Sequence, residues 1–252
     1  MPFLSAGGHR LDYQRIAGRD GAPALVFLHE GLGSIALWRD FPEKLAAATG
    51  FSAVVYSRYG YGNSDPLAAP RDIDYMHREA LKTLPELRAR LGLDDVILVG
   101  HSDGASIALI HAGAGRWPVR GLALEAPHVF VEDVSVTSIA AARETYATTE
   151  LRRRLQRYHA DVDSAFRGWN DIWLAPEFRA WNIEGYLPGI ACPVLAIQGA
   201  DDEYGSLAQL DAIERQLRAP FARLVLAKCG HSPHRDQEEA TLQAMARFIA
   251  RL

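Results

Sequence analysis

The chain reads as an α/β protein with a mostly parallel central sheet flanked by helices. Three observations predict this. Apolar runs the length of a buried strand recur, at Ala24–Leu28, Ser52–Tyr56, Val96–Val99, Val119–Glu125, Val194–Gly199 and Ala222–Leu226. Stretches with helical spacing separate most of them, which is the alternation that builds a parallel sheet covered on both faces. Glycine-bearing loops follow several of the runs at once, as loops do at the C-terminal edge of such a sheet.

In chain order, residues 9–16 alternate roughly and predict an early strand with one exposed face. Gly18, Gly21 and Pro23 mark a turn before the first buried run. The loop His29-Glu30-Gly31-Leu32-Gly33-Ser34 follows, then a helix from about Trp38 to Ala48. The next run leads into a long turn at residues 57–66. Tyr75 to Leu91 has helical spacing and stops at Gly92, with Pro85 inside it as a place where the helix can kink or break. After the strand ending at Val99, a helix extends to about Ala114. Residues from about 127 to 188 break the rhythm. They look helical and concentrate Trp169, Trp173, Phe178, Trp181 and Tyr186 in a short span, so they read as an insertion over the sheet's C-terminal edge within a single domain of residues 1–252. The rhythm then resumes, with a helix at about 207–217 and a closing helix to Leu252.

Composition bounds the function. The 252 residues are 48% hydrophobic and 23% charged, enough for one large core. A formal charge of −4 without a basic run argues against nucleic acid or an anionic membrane surface as partner. No run is long and apolar enough to span a bilayer, and the first residues lack the pattern of a secretion signal. Cys192 and Cys229 make neither a disulfide framework nor a metal-ligand spacing. The expectation is a cytoplasmic protein with ordinary thiols, no metal and no organic cofactor, acting on a small molecule; a homo-oligomer stays open.

One stretch organises the chain. Val96-Ile97-Leu98-Val99-Gly100-His101-Ser102-Asp103-Gly104 is a buried strand, a sharp turn and the start of a helix, with serine at the apex and glycine two residues to either side. This G-x-S-x-G pattern in a strand–turn–helix context is a nucleophile elbow. A Cβ at Gly100 or Gly104 would clash as strand and helix close on each other. The bland alternative is a tight turn without catalysis. Two further strand-end loops hold Asp201-Asp202 and His231. A serine hydroxyl needs a base to take its proton, and that base needs a third group to set its tautomer.

The chain resembles the alpha/beta-hydrolase superfamily over essentially its whole length. The resemblance rests on His29-Glu30-Gly31-Leu32-Gly33-Ser34, Gly60-Tyr61-Gly62-Asn63-Ser64, the elbow, Gly199-Ala200-Asp201-Asp202 and Gly230-His231. It implies the alpha/beta-hydrolase fold with a small helical cap insertion, Ser102 as nucleophile and His231 as general base. It implies Asp202 as the acid, with Asp201 and Glu125 as alternatives, and an oxyanion hole from the N–H groups of Gly31 and Asp103. Members commonly carry His-Gly where this chain has His29-Glu30. Glu30 therefore either orients substrate or binds a buried partner such as Arg58. Trp169 and Trp173 either line a substrate pocket or belong to the insertion's own core. His29 reads as a loop brace. His101 and His128 read as packing or surface groups, with substrate contact as the alternative, and His234 as a second-layer or exposed residue. The activity implied is hydrolysis of an ester, lactone or thioester by a serine hydrolase. Alternatives are a carbon–carbon hydrolase of aromatic ring-cleavage products and a ligand receptor without turnover.

Overall fold

The computed structural model describes residues 2–19 and 21–252. Its core is one sheet of eight strands: β1 (Phe3–Ala6), β2 (His9–Ile16), β3 (Ala24–Leu28), β4 (Ser52–Tyr56), β5 (Val96–His101), β6 (Gly121–Glu125), β7 (Val194–Gly199) and β8 (Phe221–Leu226). Their order is β1-β2-β4-β3-β5-β6-β7-β8. From β4 to β8 every pairing is parallel, and β1 and β2 close one edge antiparallel. β1 was absent from the sequence reading, because four residues with two exposed side chains carry no apolar run.

β3, β5, β6 and β7 are buried at every residue, which is why they read as continuous apolar runs. Successive side chains still go to opposite faces. Val26, Leu98, Leu122 and Ala196 join one core, with Leu84 and Leu87 of α3 (Leu84–Leu91) and Ile107 to Ile110 of α4 (Asp103–Gly113). Leu25, Phe27, Ile97, Val99 and Ala123 join the other, under Phe41 and Leu45 of α1 (Phe41–Thr49) and Met245 and Ile249 of α10 (Glu238–Ile249). One strand thus feeds two hydrophobic layers.

The stretch expected as one helix from Tyr75 to Leu91 is α2 (Tyr75–Arg78), a π turn at Glu79–Thr83, and α3. Pro85 lies in the first turn of α3, where its missing N–H costs least, and the widened turn before it takes up the ring. The helix expected from about Trp38 is a 3-10 turn at Ile35–Trp38 followed by α1. The closing helix is the short α9 (Pro233–Asp236) and then α10, and α8 spans Ala208–Gln216.

Between β6 and β7 lie α5 (Asp133–Thr148), α6 (Leu151–Leu155), α7 (Val162–Trp173) and 3-10 turns at Pro176–Ala180 and Glu184–Gly189. These elements hold loops that leave the C-terminal ends of the parallel strands. His159 Nδ1 accepts from the Gly62 N–H at 3.1 Å, and its Nε2 lies 3.2 Å from the Leu32 carbonyl. The Leu67 N–H donates to Ser164 Oγ at 3.1 Å.

At the elbow α4 lies close against β3. A Cβ on Gly104 would sit 1.9 Å from the Leu28 carbonyl oxygen of β3. Gly104→Ala is therefore expected to lower stability by about 3 kcal/mol or more, the upper range for overpacking a site that cannot relax. A urea unfolding midpoint equal to that of the wild type would contradict this.

Candidate active site

Ser102 sits between β5 and α4 at φ 52° and ψ −117°. That backbone is unfavourable for any residue with a Cβ, by about 1–3 kcal/mol, and persists only where the surroundings impose it. Here the Ser102 N–H donates to the Glu125 carbonyl at the end of β6 (2.9 Å), while α4 is pressed on β3 through Gly104. The hydroxyl is lifted to the C-terminal edge of the sheet.

There it meets the loop after β8. His231 Nε2 lies 2.9 Å from Ser102 Oγ, and His231 Nδ1 lies 2.8 Å from Asp202 Oδ1. A carboxylate accepts only, so Nδ1 carries the proton and Nε2 is free to accept from the serine. Asp202 Oδ1 also accepts from the Tyr204 and Gly205 N–H groups at 2.8 and 3.2 Å, and Gln198 Nε2 donates to Oδ2 at 3.2 Å. Burial pushes the Asp202 carboxyl up, but the hydrogen bonds it accepts, that from His231 first, outweigh it and hold it below the usual carboxylate range. The acid is thus kept ionised where it orients the imidazole.

Of the alternative acids, neither reaches His231. The Glu125 carboxylate is buried and accepts from the N–H and Nδ1–H of His234 at 2.8 and 2.9 Å. Asp201 is an exposed residue of the same loop as Asp202, tied by its N–H to the Cys229 carbonyl.

The N–H groups of Gly31 and Asp103 find no acceptor among the described residues. Gly31 is packed against the insertion: a Cβ there would meet the Trp169 indole at 2.2 Å. The Asp103 carboxylate is fully buried, with Tyr75 Oη donating at 2.7 Å, Trp173 Nε1 at 3.3 Å and Arg58 Nη2 at 3.4 Å. A free N–H beside the serine is therefore braced through its own side chain.

A cavity of about 140 Å³ opens on Ser102 and His231. Leu32, Ile139, Trp169 and Trp173 supply its apolar wall, and Glu30, Gly31, His128, Ser135 and Tyr204 complete it. Trp169 and Trp173 thus line the cavity. Phe178 and Trp181 do not: they stack on each other at 5.4 Å within the hydrophobic layer that the insertion shares with one face of the sheet. Tyr204, Ser135 and Ile139 were missed from sequence. Tyr204 had a signal, two residues after the acid, whereas Ser135 and Ile139 sit on α5 with none.

One expectation about the histidines stands, and two others, on the partner of Glu30 and on His101, need correction. His29 braces its loop: its ring Nδ1 lies 2.7 Å from the Glu30 carbonyl and its Nε2 accepts from the Arg58 N–H at 2.9 Å. Arg58 is not the partner of the Glu30 carboxylate. Its guanidinium reaches the Glu30 backbone carbonyl at 2.8 Å, while Glu30 Oε2 faces His101 Nδ1 at 3.5 Å. Nor is His101 a mere packing group, since its Nε2–H donates to the His231 carbonyl at 2.7 Å. Burial disfavours charge on both Glu30 and His101, but each offsets that for the other: the carboxyl is held low and the imidazole raised. His128 is the reverse case. Burial, with His231 nearby, pushes it down to about 3, so it stands neutral in the cavity wall.

The chain belongs to the alpha/beta hydrolase family, whose model matches residues 25–244. A proline iminopeptidase of Lactobacillus delbrueckii subsp. lactis is 34% identical over 113 residues, 44% of this chain and 37% of its own length. This chain therefore aligns with little more than a third of that relative. The N-formylmaleamate deformylase of Pseudomonas putida is 25% identical over 98% of this chain and 95% of its own. Among solved structures, the enol-lactonase of Burkholderia xenovorans LB400 superposes with a TM-score of 0.78 at 18% identity, covering 99% of this chain and 100% of that one. At that identity the likeness concerns the fold. No helix among the described residues is long and apolar enough to cross a membrane.

A histidine kept neutral by burial weakens the fold in acid. Its contribution is whole above the unfolded value near 6.5 and is lost as pH falls towards about 3. Between pH 7.5 and 5, wild type is expected to lose about 2 kcal/mol more stability than His128→Phe, from roughly 1.4 kcal/mol per pH unit below 6.5. Urea titrations of both proteins at the two pH values measure this, and equal losses would rule it out.

Proposed function

We propose that this protein is a serine hydrolase that cleaves a carboxylic ester or related acyl bond through an acyl-enzyme on Ser102. The hydrogen-bonded chain from Asp202 through His231 to Ser102 carries the reading. Ser102 Oγ attacks the carbonyl carbon as its proton passes to His231 Nε2, and Asp202 stabilises the imidazolium. The N–H groups of Gly31 and Asp103 receive the oxyanion. A donor of this kind is typically worth roughly 3–4 kcal/mol of barrier. As the tetrahedral intermediate collapses, His231 gives its proton to the leaving group. Water then attacks the acyl-enzyme, losing its proton to His231, and the acid departs as Ser102 regains its hydrogen.

The insertion acts as a cap over this chemistry. Trp169 and Trp173 form the wall against which a small acyl or leaving group lies. A cavity of about 140 Å³ is close to the size that holds one benzene ring, so a compact group fits better than a long chain. Iminopeptidase, deformylase and enol-lactonase names among the similar proteins are compatible with acyl transfer to water. The serine at the elbow argues against relatives that form an alkyl ester on a carboxylate.

Ser102→Ala is expected to lower kcat on a cleaved ester by on the order of 10⁵–10⁶, and a fluorophosphonate is expected to label Ser102 of the wild type. Undiminished turnover by the alanine variant, or a wild type inert to the label, would defeat the assignment.

A further inference from the structure

Glu30 occupies the position where family members commonly carry glycine, next to the free Gly31 N–H. The tight turn in which the Gly33 N–H donates to the Glu30 carbonyl (3.1 Å) fixes its direction. Its side chain is 22% exposed and forms part of the cavity wall. Its carboxylate is poorly served by the protein. Oε2 faces His101 Nδ1 at 3.5 Å, the outer limit of a hydrogen bond, and no other donor among the described residues reaches either oxygen. A carboxylate in a cavity wall takes its remaining donors from whatever fills the cavity, water or a group of the substrate.

The rest of the wall decides what those donors are. Glu30 is its only acidic residue, and no lysine or arginine joins it. His128 stands uncharged there and supplies no positive charge. A carboxylate on the substrate would meet the Glu30 carboxylate with no cation in the wall to receive it, since the one imidazole behind, that of His101, already faces Glu30. A hydroxyl or ammonium group would find an acceptor, and indole walls such as those of Trp169 and Trp173 suit a cation.

We infer that Glu30 reads a hydrogen-bond donor on the substrate: the site takes an acyl compound with a hydroxyl or ammonium group close to its carbonyl and turns away one with a carboxylate there. This rests on the hydrolase reading of Ser102. Glu30 is then the specificity-determining residue, and its contact with His101 keeps the carboxylate charged and aimed while the cavity is empty.

Four phenyl esters of similar size test it: 2-methylpropanoyl, 2-hydroxypropanoyl, 2-aminopropanoyl and 2-carboxypropanoyl. In wild type, kcat/KM for at least one of the hydroxy and amino esters is expected to exceed that for the methyl ester about tenfold or more, and the carboxy ester to fall about tenfold below it, the scale of one hydrogen bond to a charged group. In Glu30→Gln, the donor advantage is expected to shrink to within about threefold and the carboxy ester to recover about tenfold relative to the methyl ester. Wild-type ratios near one, or a Glu30→Gln variant that keeps the wild-type pattern, would overturn the inference. Should that variant not fold, the wild-type ratios decide alone. Fluorophosphonate labelling separates the two readings: a labelled Ser102 with none of the four esters cleaved overturns the role of Glu30 only, whereas an unlabelled Ser102 removes the hydrolase reading as well.

Discussion

The site depends on one backbone constraint: a serine held at φ 52° where a parallel strand turns into a helix. No local preference supports that conformation. It is imposed by the β5–β6 ladder, which engages the Ser102 N–H, and by α4 lying so close to β3 that only glycine fits at 104. The strain places the hydroxyl at the edge of the sheet, and the same helix start leaves the Asp103 N–H without a partner. A relaxed turn would point the serine into the core or along the strand. The many buried apolar residues of the two cores offset the local cost of about 1–3 kcal/mol.

Around this turn the protein wholly or largely buries several ionisable groups, six of them in pairs. Arg58 and Asp103 lie 3.4 Å apart, His234 and Glu125 2.9 Å, and Glu30 and His101 3.5 Å. Buried pairs of this kind contribute little net stability, because desolvation cancels much of the attraction. Their value here is positional. Asp103 holds Trp173, which ties the insertion to the elbow. His101 holds the carbonyl of His231, and Glu125 anchors the start of α9 just beyond it. Each element that meets Ser102 is fastened by at least one such contact.

Much of this was legible in the chain. β3, β5, β6 and β7 are buried on both faces, so each appears as an unbroken apolar run, and their alternation with helices gives the parallel sheet. The elbow was legible because its glycines are demanded by close packing, and the loops of Asp201-Asp202 and His231 because each follows a strand run directly; the choice of Asp202 rested on the family resemblance. What escaped has physical causes. β1 is a short edge strand with no apolar run, and a π turn before Pro85 has the same helical spacing in sequence as an α-helix. The lining residues Ser135 and Ile139 come from a helix whose sequence carries no sign of what it faces. The partner of Glu30 was misjudged because Arg58 and His101 are both far from it in sequence, and only the fold puts one imidazole against its carboxylate.

The sequence by itself determined the class of fold and which serine stands at the turn. Apolar periodicity and the need for glycine are local properties, written in adjacent residues. Only the tertiary structure decided that Asp202 rather than Glu125 meets the imidazole of His231, that two of four clustered aromatics face the cavity, and that Glu30 lies paired with His101. Those outcomes depend on distances between segments up to about 130 positions apart, and such distances are set by how strands stack in the sheet and how the insertion settles over their ends.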